Sequence, residues 1–294
     1  MGYAEFEEKE FERPLYNQLE IGTSYVWSPG QCFEKFIGID YSLYTFYDLS
    51  KRLGIKNMPP GVSLKNYNLG YIWKLLGRTR ELPDFQLNMF IQAKRPYEYK
   101  NGLPKYGYTK RCFKFKTSSV QQSMLEKLDV QLNGNALVVY AAPVFSTLRE
   151  LYKFTANKSM IENTIFPTIK DLKGHQAWVY DSINRGVGCS EPEEKSTENI
   201  LNRINDFIKD RERTSNRFID ENSLQNLNLS IENTLQGMYD VHIAEYFNRK
   251  DEIYRSFRQY ESYNENRYIM NNLISFMLIN EFCDIYNLDW FVLG

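Results

Sequence analysis

Phe85-Gln86-Leu87-Asn88-Met89-Phe90-Ile91-Gln92-Ala93-Lys94 alternates in part and then becomes continuously apolar, the pattern of a strand that enters the centre of a sheet. Side chains alternate along a strand, so Gln92 and Lys94 share one face at its end. Further along, after a Gly/Pro/Tyr-rich loop, Lys110 to Lys116 sets Arg111, Phe113 and Phe115 on one register and Cys112 and Lys114 on the other, as in a further strand. Ser118 to Leu132 places Val120, Met124, Leu125, Leu128 and Leu132 at helical spacing, with Ser118 or Ser119 as N-cap. The short apolar run Ala136 to Pro143 then predicts a buried parallel strand reached through that crossover helix.

On the N-terminal side, Ser24 to Ile37 contains Pro29-Gly30 and predicts a short helix bearing Glu34. Gly38 to Tyr47 is aromatic and β-branched, a strand with Asp40 near its start. Asp48 to Leu82, with Pro59-Pro60-Gly61, reads as an inserted loop containing a short helix. Leu148 to Tyr180 is mixed. Asn184 to Thr197, rich in Gly and Glu, reads as a surface linker, after which Ile200 to Ile208, Ser223 to Asn248 and Tyr268 to Tyr286 carry helical periodicity. The expected division is an α/β domain over 1–185, a linker over 186–198 and an all-helical C-terminal region over 199–294. That last region would dock on the first, form a homodimer or bind a partner protein.

Composition narrows the functional classes. The 36 basic and 37 acidic side chains nearly cancel, so any polyanion site must be a local patch. The four cysteines show no CxxC pair and the two histidines complete no zinc site. A thiol catalyst built from Cys32 and His175 has nothing to fix its geometry. The charged start, Met1 to Arg13, does not resemble a signal peptide, and no apolar run reaches membrane-spanning length, so a cytoplasmic protein without membrane contact is expected. The 22 Tyr and 19 Phe suit strands, core packing and base stacking alike.

Glu34, then Gly38-Ile39-Asp40, then Ile91-Gln92-Ala93-Lys94 together resemble the PD-(D/E)xK nuclease superfamily, in its variant with glutamine at the second acidic position. The resemblance covers roughly Phe33 to Pro143. Its helix, strand, insertion, strand, strand, helix, strand order matches the αβββαβ restriction-endonuclease-like core with a mixed central sheet. It implies Mg²⁺- or Mn²⁺-dependent cleavage of nucleic acid, DNA ahead of RNA, in restriction, repair or phage defence. Phosphodiester hydrolysis needs hard oxygen ligands converging near mid-sheet. Asp40 and Glu34 would hold the metal, Gln92 would assist, and Lys94 would orient water or stabilise phosphorane charge. Asp84, eight residues before Gln92, is a rival metal aspartate. Gln121, at the start of the following helix, matches glutamines found there in several such nucleases.

Each of these residues also has a plainer reading. Asp40 after glycine can close a turn, Glu34 can be a solvated helix residue, and Gln121 a capping or exposed one. His175 could touch a phosphate or be structural. Arg95, Lys110, Arg111 and Lys114, interleaved with Tyr and Phe, could track a phosphate backbone or form an ordinary solvated hairpin. Two other functions remain open at this level: a nuclease-fold module that binds nucleic acid or a protein without catalysis, and an interaction protein working through its helical tail.

Overall fold

The computed structural model describes residues 2–22, 26–27, 29, 87–212, 222–238, 240–257 and 267–293. The expected elements around Glu34 and Asp40, and the rival Asp84, lie outside these residues. So does Cys32.

The central element is β3, Leu87–Ala93, every residue of which is buried. It pairs in parallel with β6, Ala136–Pro143, and antiparallel with β11, Asp289–Leu293. With β2 (Val26–Trp27) and β7 (Thr164–Ile165) at its edges, the mixed sheet runs β2-β11-β3-β6-β7. The connection from β3 to β6 contains α2, Ser119–Gln131, as the periodicity of Ser118 to Leu132 predicts.

A second, fully antiparallel sheet runs β1-β4-β5-β8-β9-β10. Its strands are β1 (Gly2–Tyr3), β4 (Tyr97–Tyr99), β5 (Cys112–Lys116), β8 (Ala177–Tyr180), β9 (Arg185–Gly188) and β10 (Glu193–Ser196). The strand expected over Lys110 to Lys116 therefore exists, but it belongs to this second sheet and not beside β3. The stretch 186–198, expected as a linker, forms most of the β9–β10 hairpin. Its Glu-rich strand escapes an apolar pattern because β10 is an exposed sheet edge.

Helices cover both faces of the mixed sheet. One face meets α1 (Glu8–Gly22), α3 (Leu148–Ala156) and α4 (Ile200–Glu212), where Phe11, Leu15 and Leu19, spaced by four residues, pack with Met89, Ile91 and Val139. The other meets α2, α5 (Ser223–Leu235), α6 (Val241–Phe257) and α7 (Arg267–Tyr286), together with Phe113, Phe115, Trp178 and Tyr180 from the second sheet. The acidic start of α1, Glu8 and Glu10, opposes the positive end of its dipole.

Two expectations for the C-terminal region fail. It is not all-helical, because β11 follows α7 and inserts between β2 and β3. Ser223 to Asn248 is not one helix, since Gly237 adopts φ +75° and separates α5 from α6. Helices α5 and α7 share one hydrophobic cluster with Phe90 of β3. Burial of such a phenylalanine is worth roughly 2 kcal/mol, so the helical segment contributes to the same core as the sheet.

Candidate functional site

The alternation of β3 sends Leu87, Met89, Ile91 and Ala93 toward α1, and Phe90 toward α7 with Asn88 and Gln92 on the same register. Gln92 is 1% exposed. Its Nε2 donates to the Tyr286 carbonyl at 3.4 Å, and its Oε1 has no hydrogen-bond partner.

Lys94 extends the pairing beyond β3, its backbone N–H donating to the Ala141 carbonyl at 2.8 Å. Its ammonium donates to Gln121 Oε1 at 3.2 Å and lies 5.8 Å from the centre of the Tyr140 ring. Gln121 Nε2 in turn donates to the Tyr286 carbonyl at 2.9 Å. Of the sequence-predicted residues, Gln92 and Gln121 thus meet on the Tyr286 carbonyl, and Lys94 joins them through Gln121. The neighbouring Gln122 does different work, accepting from the Tyr140 hydroxyl at 2.7 Å and donating to the Ile169 carbonyl at 3.2 Å. It ties α2 to the core while Gln121 serves the cluster.

Tyr286 ends α7, and Asn287 follows in the left-handed region at φ +52°. Leu288 N–H closes the turn onto the Cys283 carbonyl at 2.8 Å, the six-to-one bond of a Schellman cap. That cap aims the negative end of the α7 dipole at the cluster. The Asn287 amide donates to Glu8 Oε2 at 3.3 Å, and Glu8 Oε1 accepts from the Arg95 backbone N–H at 3.0 Å. Burial pulls the Lys94 pKa below the ordinary lysine value, and the Glu8 charge works against that shift. Glu8, Tyr140, Tyr286 and Asn287 escaped sequence reasoning. Only Glu8 carried a local signal, an acidic residue at a helix start.

The remaining candidates go elsewhere. His175 packs against Gly188, where an added Cβ would fall 2.4 Å from the imidazole, and its Nε2 lies 3.6 Å from Glu193. Its partners come from the second sheet. Arg95 is held by Glu7 at 2.7 Å and by the Ala4 carbonyl, and Arg111 by Glu98 at 2.5 Å and Glu150 at 3.2 Å. Lys110 and Lys114 have no ion-pair partner among the described residues.

No family model, curated protein or solved structure gives a significant match to this chain.

Among the described residues, no three His, Cys, Asp or Glu side chains gather to hold a metal ion. What they do offer a hard cation is the unpartnered Gln92 Oε1, a buried carbonyl oxygen on the face shared with Lys94. That donor fits one ligand position, and the carboxylates that would complete the set, Glu34 and Asp40 with Asp84 as rival, lie outside the described residues. Across the described residues, no helix is long and apolar enough to cross a membrane.

Proposed function

We propose that this protein is a metal-dependent nuclease of the restriction-endonuclease-like type, hydrolysing phosphodiester bonds, in DNA ahead of RNA, at the cluster of Gln92, Lys94 and Gln121. The observation carrying this reading is the Lys94 ammonium held by Gln121 beside the unpartnered Gln92 oxygen. The reading draws support from the five-stranded mixed sheet, with α2 in the crossover between parallel β3 and β6. A cytoplasmic setting and a role in phage defence or restriction belong to the same proposal.

Gln92 Oε1, with Glu34 and Asp40, would hold Mg²⁺ or Mn²⁺. The bound ion would polarise the phosphate and lower the pKa of a water. Lys94, partly desolvated, places positive charge where negative charge grows on the phosphoryl oxygens as water attacks and the P–O bond breaks. Gln121 fixes the ammonium through Oε1 and is itself fixed through Nε2. The negative end of α7 and the charge of Glu8 favour keeping that amine protonated.

One observation favours a second reading. Gln92 is buried and its amide is committed to Tyr286, as expected of a nuclease-fold module that binds without cutting. Incubation with supercoiled plasmid, linear DNA and RNA in Mg²⁺ or Mn²⁺ separates the two. Cleavage that is abolished by EDTA, by Lys94→Ala and by Asp40→Ala supports the nuclease. Absence of cleavage under every condition, with nucleic-acid binding retained, supports the module.

A further inference from the structure

One face of the six-stranded sheet enters the main core through Phe113, Phe115, Trp178 and Tyr180, and part of the opposite face, at Cys112, Val179 and Val187, is buried in a small cluster with Tyr108. On the opposite face Tyr3, Tyr97 and Lys114 lie in register across β1, β4 and β5, with Lys116 two positions further on. The Tyr3 and Tyr97 rings stand 3.8 Å apart between centroids at an interplanar angle of 34°, joined through their hydroxyls, and Tyr3 is 57% exposed. Lys116 Nζ lies 6.0 Å from the Tyr97 ring centre. Lys114 and Lys105 each lie 5.6 Å from that of Tyr106.

Part of the charge on this face is already paired, Arg185 with Asp181 and Glu194. Arg95 and Arg111 are neutralised by carboxylates, whereas Lys105, Lys114 and Lys116 have no carboxylate partner among the described residues. In a chain of net charge −1, three free lysines interleaved with accessible tyrosine rings form the local patch that a polyanion requires. The rings specify which polyanion. Bases stack on an aromatic side chain only when their faces are free of a neighbouring pair, and a duplex conceals them.

We propose that this outer face binds single-stranded nucleic acid, with bases stacking on the Tyr3–Tyr97 platform and phosphates meeting Lys114 and Lys116. In the chain this face lies close to the cluster described above: Tyr97 follows Lys94 by three positions, and Gln121 follows Lys116 by five. As a path for substrate toward Gln92 and Lys94 it rests on the hydrolytic reading; as a binding surface it does not.

Fluorescence anisotropy with labelled oligo(dT), oligo(U) and a duplex of equal length, in EDTA, tests the surface without cleavage. One or both single strands bind at least tenfold more tightly than the duplex, and oligo(dU), which differs from oligo(U) only in the sugar, identifies the sugar preference. Tyr3→Ala, on a terminal strand away from the core, weakens binding about five- to hundredfold, the range expected for one lost stack. The Lys114→Gln/Lys116→Gln double variant flattens the salt dependence by roughly 1.4 in log–log slope. The proposal is overturned by equal duplex binding, by absence of single-strand binding, or by indifference to the tyrosine and lysine variants. Intact binding without metal-dependent cleavage would instead refute hydrolysis alone.

Discussion

The Gln121 side chain bridges Lys94 and Tyr286, its oxygen 3.2 Å from the ammonium and its nitrogen 2.9 Å from the carbonyl oxygen. Removing it strips the Lys94 ammonium of its hydrogen-bond acceptor and leaves Tyr286 with only the longer bond from Gln92. Gln121→Ala is expected to cost about 1–2 kcal/mol in urea denaturation. A loss of cleavage much larger than the corresponding loss in folded fraction would assign Gln121 a positioning role. Proportional losses would make it structural.

Burial lowers the Lys94 pKa and Glu8 opposes that shift, so an activity needing the ammonium must fall on the alkaline side below the pH of an ordinary lysine. Lys94→Arg removes that limb whatever its effect on rate, because a guanidinium does not deprotonate in this range. Glu8→Gln moves the limb to still lower pH. A pH–rate profile unchanged by both variants would exclude Lys94 as the titrating group.

Glu150 acts at the opposite end of the scale. Burial alone would raise its pKa, but hydrogen bonds from Arg111, Thr147 and the backbone N–H groups of Ser146 and Thr147 hold it down to about 2. A folded value depressed below the unfolded one, about 4.3, contributes stability above that pH, and the contribution is lost as pH falls toward 2. Arg111 is well exposed, so solvent screening reduces the effect to about 1 kcal/mol. Glu150→Gln, which retains the capping side chain at the start of α3, should lower the urea midpoint at pH 7 and match the unmodified protein near pH 2.

The contact between Gly188 and His175 gives a steric test. A methyl at 188 would fall 2.4 Å from the imidazole, which is buried and has little room to retreat. Gly188→Ala should therefore destabilise by about 1–3 kcal/mol. Combining it with His175→Ala should recover part of that loss, a coupling that a double-mutant cycle in urea reads directly. Additive effects would show that the ring does not rest on the glycine.

β3, α2 and β6 were legible because each carries its own periodicity: a central apolar run, a helical repeat and a short buried strand closed by proline. That Gln92 and Lys94 share a face followed from strand alternation alone, and Gln121 entered the candidate site only through the family resemblance. Partners contributed from remote parts of the chain were not legible. Tyr286 and Asn287 are addressed only once α7 packs on β3, and nothing local marks a carbonyl or an asparagine for that task. β11 is a five-residue stretch, apolar after Asp289, directly behind a long helix, which pattern reading absorbs into the helical tail. β10 failed for the opposite reason, being polar on both faces at a sheet edge.

The position of β11 carries a consequence for biosynthesis. Asp289 pairs opposite Ile91, so the strand carrying Gln92 gains one of its two neighbours only after some two hundred further residues have been made. The carbonyl that both Gln92 and Gln121 hold arrives just ahead of it, at Tyr286. During vectorial synthesis Gln92 and Gln121 therefore remain without their shared carbonyl until the chain through Tyr286 has emerged.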